Sequence, residues 1–291
     1  MAITAAEGVR KLFDSASNRQ EPDTENGDYY GDDGLLYCGK CKTRKEYIQD
    51  VSRLWPERGK VILPVICECR KEELRKEKER NEFEQRMMAL RRLKDASMMD
   101  SKYRDASFGS YMVTEKNRKV KQLAERYVES FSQMYSENQG IIFYGPVGSG
   151  KSYTAACIAN GLLERNTPVI MTSFVKILQN IQGFDSDEAA YLASLNSAKL
   201  LILDDLGAER NTDYAIEKLY NVVDSRSRAA KPMILTTNLS LDDMMGCQDI
   251  RYKRIYDRIF ETCYPVLVEG DSFRRIQAEQ RFDRMHRFLE G

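Results

Sequence analysis

From Gly140 to Ser152 the chain reads Gly-Ile-Ile-Phe-Tyr-Gly-Pro-Val-Gly-Ser-Gly-Lys-Ser, a short apolar run that empties into a glycine-rich loop closing on Lys-Ser. Gly145, Gly148, Gly150, Lys151 and Ser152 carry the pattern G-x-x-x-x-G-K-[ST], that of a phosphate-binding loop. The pattern dictates its surroundings. Glycines let the backbone curl until successive N–H groups point inward, and a helix starting at the loop presents the positive end of its dipole to the same point. The neighbours comply: β-branched and aromatic residues precede the loop, and Ala155, Ala156, Ile158, Ala159, Leu162 and Leu163 follow it at helical spacing. Lys151 is then placed to reach the β- and γ-phosphates of a nucleotide, and the Ser152 hydroxyl to take a coordination position on Mg²⁺. Pro146, Val147 and Ser149 fill the loop and Tyr153 follows it, so Gly145 to Tyr153 is the candidate ATP-binding segment.

A strand feeding such a loop needs neighbours. Further strands are expected at Val169 to Thr172, Leu200 to Asp204, Met233 to Thr236 and Pro265 to Val268, with helical segments between them. Near-continuous apolar strands alternating with helices predict an α/β domain with a five-stranded parallel sheet flanked by helices. Thr114 is the expected cap of a helix running through Val120, Leu123, Ala124, Tyr127, Val128, Phe131, Met134 and Tyr135 and ending before Gly140. At 291 residues there is room for this domain and a smaller module.

The N-terminal part has a different character. Residues 1–36 begin with a short helical pattern around Val9 to Phe13 and continue through acidic, turn-rich stretches with little apolar surface to offset their ordering entropy, which reads as a mobile segment. Residues 37–72 hold Cys38-Gly39-Lys40-Cys41 and Cys67-Glu68-Cys69 around a hairpin-like body. Two close cysteine pairs suit one tetrahedral Zn²⁺, which would stabilise a module too small to have much core; buried free thiols are the alternative. The only histidine, His286, lies at the far end of the chain, so the ligand set would be all cysteine. Cys157, Cys247 and Cys263 read as packing residues. Residues 73–110 are dense in mixed charge and read as a helical linker, either solvated or touching nucleic acid or a partner; residues 111–291 form the nucleotide-binding domain. Lys plus Arg and Asp plus Glu both number 45, so net charge does not argue for nucleic acid or against it. No apolar run approaches the ~20 residues that span a bilayer, and the N-terminus lacks a signal-peptide layout, so the expectation is a cytoplasmic protein with no membrane partner.

The remaining chemistry lies at strand ends. The apolar run from Leu200 to Leu203 delivers Asp204 and Asp205, and ligands of open α/β sheets sit beyond the carboxyl ends of strands. Asp204 is the candidate Mg²⁺ holder, and Asp205 the group that orients and polarises the attacking water. Asn238, ending the strand Met233 to Thr237, can hydrogen-bond that water or the γ-phosphate. Arg251, Arg254 and Arg258 share a helix, and Arg274 and Arg275 follow the last strand; a guanidinium offered from another copy could stabilise charge developing on the γ-phosphate.

Together, Gly145 to Ser152, Leu201 to Glu209, Leu235-Thr236-Thr237-Asn238, Arg254 to Arg258 and Asp271-Ser272-Phe273-Arg274 resemble the motif series of AAA+ ATPases. The chain is most similar to the DnaC/DnaI-type replicative helicase loaders and their IstB-like relatives, over roughly Met99 to Leu289. The resemblance implies Walker A at the loop, Walker B at Asp204 and Asp205, a sensor-1 role for Asn238, an arginine finger at Arg254 with Arg258 nearby, and a sensor-2 role for Arg274. It also implies a homo-oligomer with ATP between subunits, an N-terminal part that contacts a hexameric helicase, and an ATPase core that contacts single-stranded DNA. For the DNA contact, residue type singles out Phe174, Lys176 and Tyr191 with the basic connector. The usual Walker B glutamate is Asp205 here, one methylene shorter, which implies slow hydrolysis. An IstB-like transposition helper, a P-loop phosphotransferase for small molecules and a non-hydrolysing ATP switch are the competing readings.

Overall fold

The structure, a computed structural model, describes residues 21–53, 55–183, 188–207 and 212–290; the helical pattern at Val9 to Phe13 and the residues Ala208 and Glu209 lie outside them. Two compact units divide at Arg86 and Met87.

The second unit is built on five parallel strands: β5 (Gly140–Tyr144), β6 (Val169–Ser173), β7 (Leu200–Leu206), β8 (Met233–Thr237) and β9 (Cys263–Leu267), in the order β6-β7-β8-β5-β9. These are the five expected strands, with ends shifted by a residue or two. Their near-continuous apolar character follows from burial on both faces. Successive side chains point to opposite sides, so Ile141, Phe143, Met171, Ile202 and Ile234 enter one core while Ile142, Ile170, Leu201, Leu203 and Leu235 enter the other. The first core is covered by α2 (Arg118–Glu129), α3 (Phe131–Ser136) and α4 (Lys151–Leu163), the second by α5 (Phe174–Gly183), α6 (Glu188–Ser197), α7 (Asp213–Arg228), α8 (Leu241–Met245) and α9 (Ile250–Thr262). Helix α10 (Phe273–Glu290) ends the described chain. No described helix is long and apolar enough to cross a membrane.

Several sequence expectations are corrected here. Thr114 is not the cap: α2 begins at Arg118 behind Asn117, and Thr114 instead exchanges hydrogen bonds with Asn117 in the turn before it. The single helix expected up to Gly140 breaks at Ser130. The linker is shorter than 73–110. Helix α1 (Glu68–Ala96) starts inside the cysteine module, and the chain after it lies on the nucleotide domain, with Met99, Tyr103 and Ala106 buried. Asn160 on α4 fixes this strap by donating to Tyr103 O at 2.9 Å and Ala106 O at 2.8 Å.

At the end of the sheet away from the phosphate loop, Arg226 is fully buried and donates to Leu195 O, Ala198 O, Lys199 O and Pro232 O. It thereby satisfies the last turn of α6 and the entrances of β7 and β8 at once. Burial pulls its pKa down to about 10, still charged at neutral pH.

The first unit has two small antiparallel hairpins, β1 (Tyr29–Tyr30) with β2 (Leu36–Tyr37), and β3 (Glu46–Asp50) with β4 (Lys60–Pro64). Residues 21–36, expected to be mobile, are therefore folded from the Asp23 turn onward. Their acidic groups have specific partners: the buried Asp28 carboxylate accepts from Gly39 N, Asn26 Nδ2 and Lys45 Nζ. Gly39 is required where it stands, because a Cβ there would meet Asn26 O at 2.2 Å.

Candidate functional site

Parallel topology places the carboxyl ends of β5, β7 and β8 side by side, and β8 lies between the other two. The phosphate loop leaves β5, the acids end β7 and Asn238 follows β8, so all three converge on one cleft of about 590 Å³. Val147, Gly148, Gly150, Lys151, Ser152, Tyr153, Asp204, Asp205, Asn238 and Arg274 line it. Gly148 has φ +84°, and a Cβ there would strike Ser272 Oγ at 2.2 Å, so the loop closes against the start of α10 only with glycine. That contact brings Arg274 to the cleft.

Lys151 is buried in the first turn of α4, and its ammonium donates to Gly145 O and Pro146 O at 2.8 Å and to Asn238 Oδ1 at 2.9 Å. Burial lowers its pKa, the Arg274 charge adds to the effect, and Asp205 and Asp204 oppose it. Asn238 Nδ2 in turn donates to Asp205 Oδ1 at 3.0 Å, so one amide bridges the cation of the loop and the acid of β7. The cradle fits a triphosphate: the hydroxyl of buried Ser149 has no partner among the described residues, and Lys151 and Arg274 supply positive charge. Ser152 and Asp204 offer the oxygens that would hold Mg²⁺ there.

Two consecutive residues of a regular strand point to opposite faces, yet both acids line the cleft. A bulge is the reason. Leu203 pairs with Leu235 and Leu206 with Thr237, so Asp204 and Asp205 together oppose the single residue Thr236. Asp205 takes up the extra length at φ +61°, in the left-handed region that Asp and Asn tolerate better than most residues.

The arginines divide. Arg258 is tied to Glu261 at 3.0 Å and Asp224 at 3.5 Å, and Arg251 to Asp249 and Asp213, all away from the cleft. Arg254 is exposed and forms no ion pair among the described residues. The residues singled out for DNA fare worse: Phe174 is buried, Lys176 is paired with Asp100, and Tyr191 bonds Asn180. Sequence reading missed Lys102, Tyr103 and Thr236 in the cleft lining. No motif in the sequence marks the first two, which the strap after α1 brings to the cleft; the third needed the strand register.

In the first unit the sulfurs of Cys38, Cys41, Cys67 and Cys69 lie within 4.8 Å of one another. Four sulfurs ~2.3 Å from one tetrahedral metal lie ~3.8 Å apart, and Cys69 Sγ stands 3.5 Å from Cys38 Sγ and 3.4 Å from Cys67 Sγ, so the set can hold a metal ion. Crowding the thiols splits them. The Thr43 hydroxyl and backbone amides draw Cys41 down to about 5, while donation of its own S–H to the Cys67 and Cys38 sulfurs pushes Cys69 up to about 12. A dication would favour the thiolate at every position. Cys157 and Cys263 are buried and raised to about 12 by burial, as packing residues should be, and Cys247 packs half-buried against the second core.

Sheet order, loop, acid pair and amide define the AAA+ class of P-loop nucleoside-triphosphatase folds. The sequence profile of the IstB-like ATP binding protein family matches residues 67–281, and the chain belongs to that family. It is 27% identical over 195 residues to the replicative helicase loader DnaC of Buchnera aphidicola subsp. Schizaphis graminum, covering 65% of this chain and 77% of the relative. The phage-like element PBSX protein XkdC of Bacillus subtilis is 24% identical over 277 residues, 91% of this chain and 94% of the relative. The crystal structure of DnaI superposes with a TM-score of 0.52 at 23% identity, covering 60% of this chain and 93% of that one, and shares its fold.

Proposed function

We propose that the protein is an ATP-hydrolysing loader of a hexameric replicative DNA helicase, acting as an oligomer with ATP between subunits. The observation that carries the ATPase part is the convergence of the phosphate loop, Asp204, Asp205, Asn238 and Arg274 on one cleft, while Arg254 stands exposed on α9 with no ion pair among the described residues. Lys151 and the loop amides bind the phosphates, Ser152 and Asp204 hold Mg²⁺, and Asp205 orients the attacking water with Asn238 beside it. Arg254 completes the site of a neighbouring copy, where its charge opposes that developing on the γ-phosphate. Arg258, held by Asp224 and Glu261, orients α9. The short, left-handed Asp205 favours slow turnover. The cysteine module binds Zn²⁺ and offers the helicase-contacting surface, and the AAA+ domain contacts single-stranded DNA.

The loader role rests on likeness to DnaC-named relatives and is tested by capture from the native host with and without ATP. A hexameric helicase retained in an ATP-dependent way supports it. Capture of a transposase with its target duplex would instead favour a transposition helper, the reading that the family's IstB-like description supports.

A further inference from the structure

The acid pair poses a mechanical problem that one side chain resolves. Asp205 is held in a left-handed conformation inside a strand, and such a conformation persists only when its surroundings over-determine it. The residue opposite the bulge is Thr236, buried one residue before the carboxyl end of β8 with 1% of its surface exposed. Its hydroxyl donates to Asp204 Oδ1 at 2.6 Å and accepts from Asp205 N at 2.9 Å. One oxygen thus fixes the carboxylate of the first acid and the backbone of the second. Without it, the Asp205 N–H would lose its acceptor and the Asp204 carboxylate its orienting donor.

We infer that Thr236 is the positioning residue of the acid pair: its hydroxyl locks the bulge that turns both carboxylates into the nucleotide cleft. It touches neither phosphate nor water in this role and acts through Asp204 and Asp205. The bulge also explains the aspartate at position 205. At φ +61° a short acid that tolerates the left-handed region holds the bulge better than a glutamate, so restoring the longer side chain does not speed the reaction. This inference rests on the ATPase reading and deepens it.

The test compares Thr236→Val, which keeps shape and removes the hydroxyl, with Thr236→Ser, which keeps the hydroxyl and removes a methyl. For each full-length variant, thermal unfolding, the affinity for a fluorescent ATP analogue without metal, the Mg²⁺ concentration that half-saturates tight ATP binding, and hydrolysis are measured. Outer partners of metal-holding carboxylates are worth roughly 10- to 100-fold in metal affinity or activity. The expected result is that Thr236→Val retains metal-free nucleotide binding, needs about tenfold more Mg²⁺ or beyond, and hydrolyses ATP at least about tenfold more slowly, while Thr236→Ser stays close to wild type. Unchanged Mg²⁺ dependence and turnover in Thr236→Val would overturn the inference. So would equal losses in both variants, since the hydroxyl would then not be the cause. If Thr236→Val does not fold, Thr236→Ala is compared with Thr236→Ser on the same readouts. Because the Mg²⁺ dependence of binding is read without turnover, a wild-type protein that binds ATP but does not hydrolyse it refutes the ATPase reading and leaves this test in force.

Discussion

The two units of this chain are held together by different physics. The nucleotide domain buries apolar side chains on both faces of a parallel sheet, and even the fully buried Arg226 serves to close helix and strand ends. The cysteine module has two short hairpins and few buried apolar residues, among them Leu35, Leu36, Val51 and Leu63, and depends on four sulfurs and a buried Asp28–Lys45 pair. A domain with a core tolerates loss of any one polar contact, whereas a module organised by a few polar centres is all-or-none. That contrast can be broken from either side.

The largest effect is expected at the sulfurs. Structural zinc contributes about 10–16 kcal/mol of apparent binding energy to small domains, so under the proposed zinc-binding role Cys41→Ser or a strong chelator should unfold the module and release Zn²⁺. ATP binding by the second unit should persist, which metal analysis, near-ultraviolet circular dichroism and nucleotide titration check together. Next comes Arg226→Ala, which leaves several buried carbonyls unsatisfied and opens a cavity. It should cost the nucleotide domain about 3–5 kcal/mol in denaturant unfolding while zinc content stays unchanged. A smaller effect is expected with acid. Burial alone would raise the Asp28 carboxyl, but Lys45, Gly39 N–H and Asn26 hold it below the ordinary value of 3.8. Its contribution is therefore complete above that value and lost as pH falls through the depressed one, so the module should loosen in acid, and Asp28→Asn should flatten that dependence. The smallest effect is expected on α1, where Arg75 pairs with Glu72 and Glu79 on the solvent-facing helix surface: Arg75→Ala should leave the thermal unfolding midpoint unchanged.

The same contrast governs what could be read from the sequence. The five strands and the loop were legible because burial on both faces and the glycine–lysine spacing are local signatures, written in consecutive residues. The four cysteines were legible as a set for the same reason. The order in residues 21–36 was not, since Asp28 finds Gly39 and Lys45 only across the fold, and an acidic turn-rich stretch looks the same whether it is solvated or clamped. Asp204 and Asp205 were legible as a pair. Their common direction was not, because a regular strand would have separated them and the bulge depends on how β7 registers with Thr236. Helical spacing placed Arg251, Arg254 and Arg258 on one helix, but only the partners Asp213, Asp224, Asp249 and Glu261 distinguish the two engaged guanidiniums from Arg254, which has no ion pair among the described residues.

In the proposed function the hydrolytic site is shared between two copies, with the phosphate loop from one and Arg254 from the other. Mixing Lys151→Ala with Arg254→Ala tests this directly, since each variant alone lacks one half and an arginine finger is worth roughly 10³-fold or more in turnover. In a mixed assembly, the intact loop of an Arg254→Ala subunit can face the intact arginine of a Lys151→Ala neighbour. The account predicts that ATP hydrolysis, near zero for either variant alone, returns on mixing to a clear fraction of wild type; a mixture as inactive as its components would contradict it.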